Sequence, residues 1–210
     1  MKKPLLVSIT GGSGSGKSTI IEALKHAFPK IKPAVLSMDN YYLPKSEQLK
    51  DKKGIWNFDL PTAFNMEQWE KDVKAILSGK DVETKEYMFE NFDRVPRFFK
   101  VRSAPLIIIE GIFVLAHHPI RDLIDYSIYV HADKKTRLDR RVKRDKALRG
   151  IKDEVIQHQW KEHVKPAHKK YVKIHRKDAD IVIDNKQHFK DDLAHAIRDI
   201  AMKLECIANA

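Results

Sequence analysis

One stretch of the chain follows the pattern G-x-x-x-x-G-K-[ST] and constrains the fold more than any other: Gly11-Gly12-Ser13-Gly14-Ser15-Gly16-Lys17-Ser18. An apolar segment with β propensity precedes it, and a segment with helical spacing follows from Thr19. Strand, glycine loop and helix in this order direct backbone N–H groups and a helix N-terminus at a polyphosphate. A flexible linker would need neither the Lys-Ser pair nor the strand. We therefore predict a nucleoside triphosphate site over residues 11–19, with Lys17 on the phosphates and the Ser18 hydroxyl on Mg²⁺.

Charge and composition narrow the class of protein. The 210 residues include 40 Lys+Arg and 29 Asp+Glu, which gives a formal charge of +11. Such an excess attracts nucleic acid, membrane surfaces or phosphorylated small molecules. The basic residues are spread along the chain and aromatic residues do not alternate with them, so we favour an enzyme that handles phosphates. No apolar run is long enough for a membrane span, and a single cysteine, Cys206, suits a reducing compartment. We expect a cytoplasmic protein; a homo-oligomer is left open.

The hydrophobic pattern predicts an α/β fold. Short apolar segments read as strands at 5–10, 33–38, 106–109, 126–130 and 179–183, and helical spacing is seen at 64–77, 134–149, 152–175 and 190–207. This alternation is typical of a parallel sheet with helices on both faces. Residues 41–102 break the alternation, with a predicted hairpin at 82–89 and 98–101. We interpret them as an inserted lobe for a second substrate, whose stretch 45–53 is expected to be a solvated, mobile loop.

Two acids are expected at the carboxyl ends of strands, where ligands of such sheets bind. Asp39 follows the second strand, and we take it as the candidate base that receives the proton of a phosphoryl acceptor. A turn cap or a Mg²⁺ ligand is the alternative for this residue. Glu110 follows the strand at 106–109 and could hold the Mg²⁺ water shell, with a purely structural role equally open.

An arginine-rich helix forms the second cluster of interest. Arg137, Arg140, Arg141 and Arg144 recur at i, i+3/i+4 and i+7, so several guanidinium groups share one helix face. Guanidinium groups grip phosphate oxygens bidentately, which favours a lid over residues 133–150 that closes on the triphosphate. A solvated basic face is the simpler reading of the same charges. The phosphate loop upstream makes us prefer the lid.

Three other patterns carry less weight. Four histidines, at 158, 163, 168 and 175, lack an i, i+4 pair with a matched acid, so we do not expect a metal site there. The stretches Asp51-Lys52-Lys53-Gly54 and Asn185-Lys186 resemble parts of the GTPase motifs D-x-x-G and N-K-x-D. The first follows no strand, and the second has His188 where the aspartate is required. A GTPase switch is therefore disfavoured.

Taken in order, the motifs resemble those of the uridine kinase family (uridine–cytidine kinases), within the wider group that includes phosphoribulokinase and pantothenate kinase. Besides the glycine loop they are Ser37-Met38-Asp39-Asn40-Tyr41-Tyr42, Asn57-Phe58-Asp59-x-Pro61, Glu86-Tyr87-Met88-Phe89, Ile109-Glu110-Gly111, Arg140-Arg141-x-x-Arg144-Asp145 and Val164-Lys165-Pro166. The resemblance implies a single P-loop NTPase-type kinase domain over residues 1–210. It also implies Mg²⁺-dependent transfer of the ATP γ-phosphate to the 5′-hydroxyl of uridine or cytidine, as in nucleotide salvage.

The resemblance also implies roles for individual residues. Asp39 would be the base, assisted by Lys17 and Arg144, and Asp59 would bind the ribose hydroxyls. Arg140 and Arg144 would lie on the ATP side. The nucleoside side would comprise Tyr42, Phe58, Asp59, Tyr87, Phe92, Arg141, Arg149 and Gln159. Two positions depart from the family pattern, since Phe92 stands where a base-contacting histidine is usual, and Ile151 where arginine is common.

Two alternatives remain at this point. The enzyme could be a kinase for another small hydroxyl compound, such as a different riboside or pantothenate. An ATP-dependent nucleic-acid-binding protein would use the +11 charge, but no nucleic-acid module is recognisable. We therefore expect ATP and a small nucleoside as ligands, without nucleic acid or membrane partners.

Overall fold

A five-stranded parallel sheet lies at the centre of the molecule, as seen in a computed structural model that describes residues 2–89, 95–186 and 188–209. The strands in the described part of the chain are β1 (Leu5–Thr10), β2 (Ala34–Ser37), β3 (Val82–Lys85), β4 (Phe98–Val101), β5 (Leu106–Gly111), β6 (Tyr126–His131) and β7 (Ile181–Asp184). The central sheet has the order β2-β5-β1-β6-β7, while β3 and β4 form a separate antiparallel hairpin.

Helices connect the parallel strands. They are α1 (Lys17–Ala27), α2 (Met66–Leu77), α3 (His118–Arg121), α4 (Lys134–Arg149), α5 (Asp153–Gln159), α6 (Lys165–Ala167) and α7 (Phe189–Asn209). Two π-helical segments, Trp160–Val164 and His168–Val172, flank α6, and a 3₁₀ segment over Lys173–Asp178 follows. Among the helices described, none is long and apolar enough to cross a membrane.

The core has two halves, one on each face of the sheet. The α1 and α7 side chains Leu24 and Ile200 are fully buried on one face, and Trp69 and Val73 of α2 are fully buried on the other. Each such side chain contributes roughly 1.5–3 kcal/mol of transfer free energy when it leaves water. The layers are helix, sheet and helix, so the predicted α/β fold is confirmed.

Several predicted boundaries differ from the structure. The strand predicted over 82–89 ends at Lys85, and the strand predicted over 106–109 continues to Gly111, so Glu110 lies within it. The helix predicted over 152–175 is interrupted by the two π segments. The stretch predicted as a solvated loop at 45–53 contains the buried Gln48, whose Nε2 donates to the carbonyls of Leu43 and Ala63. The division into a lobe and a lid stays a prediction.

Candidate active site

The glycine loop joins β1 to α1 through backbone conformations that exclude side chains. Gly14 and Gly16 have φ angles of 78° and 101°, in the left-handed region. A Cβ on Gly14 would overlap the carbonyl oxygen of Arg137, and one on Gly16 would overlap Nδ2 of Asn185. Asn185 Nδ2 donates to the Ser15 carbonyl at 2.7 Å. Asn185, which resembles the first residue of a GTPase N-K-x-D motif, therefore supports the glycine loop. The result is a narrow backbone cradle at the N-terminus of α1, suited to phosphate oxygens.

Sheet register brings Glu110 beside the loop. It pairs with Ile9 of β1 and with Ser37 of β2, so it lies between the two strand ends. The Ser37 hydroxyl donates to Glu110 Oε1 and also accepts from the Asp39 backbone N–H at 3.3 Å. Burial raises the pKa of Glu110; the nearby Lys17 ammonium opposes this rise, and Asp39 adds to it.

The donor set here fits a hard divalent cation. Glu110, the exposed Asp39 and the Ser18 hydroxyl line one cavity, and all offer oxygen ligands, which Mg²⁺ prefers. Lys17 lines the same cavity, and its Nζ donates to the Gly11 carbonyl at 3.4 Å. A cation and a polyphosphate can therefore share this end of the cavity.

The arginines of α4 do not all face the same way: Arg140, Arg141 and Arg144 line the cavity, whereas Arg137, which the sequence placed on the same helix face, does not. Arg140 Nη1 donates to the carbonyls of Ser15 at 3.2 Å and Gly14 at 3.4 Å. Arg144, which is partly exposed, lines the cavity. Arg137 instead is buried behind the loop, stacked 5.3 Å from the Trp160 ring and next to Gly12. It reaches this position because Gly12 has no side chain to exclude it.

Asp145 holds three of the arginines in place. Its carboxylate, which is fully buried, lies 3.1 Å from Arg141 Nε, 2.8 Å from Arg144 Nε and 3.3 Å from Arg149 Nη1. No role was predicted for Asp145 from the sequence. Its spacing of four residues from both Arg141 and Arg149 on one helix was the signal that could have identified it.

Arg141 is the residue at which the parts of the site meet. Its Nη1 lies 3.3 Å from Ser13 Oγ and 3.8 Å from Asp59 Oδ1, and its Nη2 donates to Gln159 Oε1 at 3.2 Å. Ser13 belongs to the glycine loop, Asp59 to the segment before α2, and Gln159 to α5. One guanidinium thus connects three separate elements.

Aromatic rings form the wall beyond Asp59. The Tyr42 ring lies 5.8 Å from Phe58, 5.0 Å from Tyr87 and 5.2 Å from Phe89. The Arg149 guanidinium stacks 3.6 Å above the Phe89 ring. Burial, with Asp39 and Asp59 nearby, raises the pKa of Tyr42, so its hydroxyl stays protonated. This end of the cavity offers flat apolar surface together with a carboxylate.

The cavity encloses about 280 Å³. It is lined by most of the predicted site residues: Ser13, Gly14, Gly16, Lys17, Ser18, Asp39, Tyr42, Phe58, Asp59, Glu110, Arg140, Arg141, Arg144, Arg149 and Gln159. Phe89, Ile112 and Ile151 also line it, and they were not predicted as site residues. A larger cavity of about 660 Å³ lies between Pro4, Leu77 and Leu204 and shares no residue with the predicted site.

The other predicted residues lie behind or outside the cavity. Gly11, Gly12, Ser15 and Thr19 form the loop and the first turn of α1 without reaching the cavity surface. Tyr87 packs behind Tyr42. Phe92 falls outside the described residues, so its predicted place on the nucleoside side stays a prediction.

Comparisons with known proteins identify the family to which the chain is similar. The model of the Phosphoribulokinase / Uridine kinase family matches residues 6–190. A uridine kinase from Streptococcus equi subsp. zooepidemicus is 33% identical over 183 residues, which are 87% of this chain and 88% of that relative. A uridine kinase from Clostridium perfringens is 34% identical over 208 residues, 98% of this chain and 100% of the relative.

A solved structure shares the fold. It is described as a possible uridine kinase from Bacillus stearothermophilus, and it superposes with a TM-score of 0.57 at 16% identity, covering 87% of this chain and 89% of its own. The matches to the family model and to the two uridine kinases confirm, at the level of the family, the resemblance inferred from the ordered motifs. With its glycine loop, parallel sheet and matched length, the chain belongs to the phosphoribulokinase/uridine kinase family of P-loop kinases.

Proposed function

We propose that the protein transfers the γ-phosphate of ATP to the 5′-hydroxyl of a pyrimidine ribonucleoside, uridine or cytidine, to give the monophosphate. The observation that carries this proposal is that one cavity has the glycine loop at one end and Asp59 with the aromatic wall at the other. The names of the relatives, uridine kinases covering most of the chain, support the same substrate class.

On the donor side, the proposed chemistry is positioning and charge neutralisation. Lys17 and the loop N–H groups bind the β- and γ-phosphates, and Arg140 and Arg144 approach from the α4 side. Mg²⁺, when held by Ser18 and Glu110, supplies positive charge to the phosphate oxygens. Asp39 is exposed in the cavity, where it accepts the proton of the attacking hydroxyl. General base catalysis of this kind contributes roughly 10²–10⁴-fold in rate.

On the acceptor side, Asp59 accepts hydrogen bonds from the ribose hydroxyls. An ionised carboxylate offers only acceptors, and the diol supplies two donors. Tyr42, Phe58 and Phe89 pack against the flat faces of the nucleoside. Arg141 keeps the Asp59 carboxylate oriented toward the cavity through the 3.8 Å ion pair.

A substrate panel tests this proposal. Purified protein with Mg-ATP is incubated with uridine, cytidine, purine ribosides or pantothenate, and the formation of ADP and of the phosphorylated product is measured. We expect uridine and cytidine to be the best acceptors. Absence of turnover of every riboside, with turnover of pantothenate, would overturn the proposal.

Variants of Asp59 sharpen the panel. Asp59→Ala should lower riboside turnover at least about tenfold, because hydrogen bonds to a charged group are worth about 1.5–3 kcal/mol. Turnover of an acceptor without a ribose should change far less. Asp139→Asn, an exposed acid on α4, serves as the matched control and should leave turnover unchanged.

A further inference from the structure

Outside the cavity, three side chains with metal-binding groups converge. The Nε2 atoms of His158 and His163 lie 2.6 Å and 2.9 Å from Oδ2 of Asp51. All three potential ligand atoms lie within 4.8 Å of one another. Among the residues that the structure describes, no other group of three His, Cys, Asp or Glu side chains meets this criterion. None of the three lines the candidate active-site cavity.

The Asp51 carboxylate is oriented by its own turn. Its Oδ1 accepts the backbone N–H groups of Lys53 at 2.8 Å and Ile55 at 3.0 Å. The Gly54 N–H donates to the Asp51 carbonyl at 2.9 Å, with Gly54 at a φ of 76°. The D-x-x-G pattern therefore encodes a tight turn, which leaves Oδ2 directed at the two imidazoles.

The helix geometry explains why spacing alone argued against this site. His158 and His163 are five residues apart, which on an α-helix places side chains on different faces. The segment Trp160–Val164 is π-helical, and its wider turn brings positions i and i+5 to nearly the same side. The two rings are 5.7 Å apart as a result. Asp51 lies more than 100 residues from the two histidines in the sequence, so no local motif indicates the three-residue cluster.

The surroundings suit a bound ion. The His163 side chain is 2% exposed, while those of Asp51 and His158 are 18% and 16% exposed, which leaves one side open to water. His163 Nδ1 has no hydrogen-bond partner among the described residues. Its Nε2 faces the Asp51 carboxylate, which only accepts hydrogen bonds, so without a metal this nitrogen carries the proton. A bound metal ion would take up the Nε2 lone pair, and the proton would move to Nδ1.

We propose that Asp51, His158 and His163 bind one divalent transition-metal ion of the Zn²⁺ class, with water as the fourth ligand. Imidazole nitrogens suit Zn²⁺ and its neighbours, whereas Mg²⁺ and Ca²⁺ prefer oxygen ligands. Tetrahedral Zn²⁺ has ligand distances of about 2.0–2.2 Å, so the two Nε2···Oδ2 distances need to lengthen only to about 3.3 Å. A shift of this size lies within the reach of side-chain rotation.

The position of the ion would link two walls of the active site. Asp51 lies on the segment that leads to Phe58 and Asp59, and His158 precedes Gln159, which hydrogen-bonds Arg141. A metal at this point would tie that segment to α5 without touching the reacting groups. Because the site lies outside the cavity, its occupancy does not depend on the identity of the nucleoside.

Direct metal binding by the intact, tag-free chain of 210 residues tests the proposal. Zn²⁺ is titrated in competition with a chromophoric chelator, with Mg²⁺ in excess so that the oxygen-ligand site is occupied. We expect one Zn²⁺ per chain. His158→Gln, His163→Gln and Asp51→Asn should each weaken binding by about tenfold or more. His195→Gln is the matched control, because His195 is exposed and also has a carboxylate nearby, Asp199 at 3.6 Å.

A second measurement uses the unaltered chain, so that a variant that fails to fold does not decide the matter. X-ray absorption of the Zn²⁺- or Co²⁺-loaded protein should report two imidazole nitrogens. Fewer than two imidazoles, no binding in the chelator competition, or equal loss of binding in the His195 control would each overturn the proposal. In that case the trio is a hydrogen-bonded contact between the two segments.

Discussion

Arg141 Nη1 lies 3.8 Å from Asp59 Oδ1, and both side chains are more than nine-tenths buried. The two residues are far apart in sequence, and both line the cavity. Because the same guanidinium also contacts Ser13 and Gln159, displacement of Arg141 would loosen the donor and acceptor sides together. This pair therefore connects the stability of the fold with the geometry of the site.

A double-mutant cycle on Asp59→Asn and Arg141→Gln should reveal coupling of about 1–3 kcal/mol in the free energy of unfolding. Arg141→Gln leaves the buried Asp59 carboxylate without this cation, and Asp59→Asn leaves Arg141 with Asp145 as its carboxylate partner. The double change removes both charges of the pair. Urea denaturation measures the four corners. The exposed pair Glu22 and Lys25, at 2.8 Å, is the control and should show no measurable coupling. Strict additivity at Asp59 and Arg141 would contradict the expectation.

Asp145→Asn should destabilise the protein by about 3 kcal/mol, because three arginines lose the charge that holds them. The repulsion between Arg141 and Arg149 is then no longer offset by the carboxylate between them. The affinity for ATP and the affinity for the acceptor should fall together. Urea denaturation and substrate titration provide the two readouts. Asp139→Asn, on the exposed side of the same helix, should change neither; an equal effect there would refute a specific role for Asp145.

Local sequence signals predicted much of the fold and part of the site. The apolar run of β5 and the glycine loop with its flanking segments were placed correctly, because burial on both faces and phosphate-loop geometry depend on adjacent residues. The ends of strands β1, β2 and β5 then meet at one edge by the general rule for parallel sheets.

The remainder depends on tertiary contacts that no local pattern specifies. Arg137 shares the charge and spacing of the lid arginines, yet it is buried behind the loop because Gly12 leaves room for it. The π segment at Trp160–Val164 changes which histidines share a face, and helical periodicity does not distinguish it from an α-helix. Asp59 was predicted as a site residue from the sequence, but its ion pair with Arg141 is visible only in the folded structure.

Gly16→Ala should abolish ATP binding and destabilise the protein more than Gly150→Ala does. Both glycines have positive φ angles, 101° and 62°, so each alanine carries a backbone cost of about 1–2 kcal/mol. Only at Gly16 would the new Cβ meet an atom, Asn185 Nδ2, whereas Gly150 has open space. Calorimetric titration with ATP and urea denaturation separate the two. Similar losses at both positions would show that the overlap is unimportant.

His168 should remain neutral well into the acid range. Burial, assisted by Arg137, Lys173 and His131, lowers its pKa from the ordinary 6.5 to about 4. The unfolded chain binds the proton near pH 6.5 and the folded chain only near 4, so stability is lost as pH falls through this window. NMR titration of the ring should show the low pKa, and His168→Gln should flatten the dependence of stability on pH. A ring that titrates near 6.5 would contradict this assignment.

Glu110→Gln should raise stability at neutral pH while it lowers activity. Burial raises the pKa of Glu110 above its ordinary 4.5, with Asp39 adding to the rise and Lys17 opposing it. The folded chain therefore holds this proton more tightly than the unfolded chain, and stability is lost as pH rises from 4.5 through the folded pKa. Glutamine resembles the protonated form, so the variant should exceed the wild type in unfolding free energy at pH 7–8. The difference should vanish below about pH 4.5, where both states of the wild type are protonated.

Because glutamine is a neutral and weaker Mg²⁺ ligand, the variant should also need more Mg²⁺ for half-maximal turnover. Urea denaturation at several pH values and a Mg²⁺ titration of activity measure the two effects. A variant that is less stable than the wild type at every pH would contradict this expectation. It would mean that the packing contacts of the Glu110 side chain outweigh the cost of its buried charge.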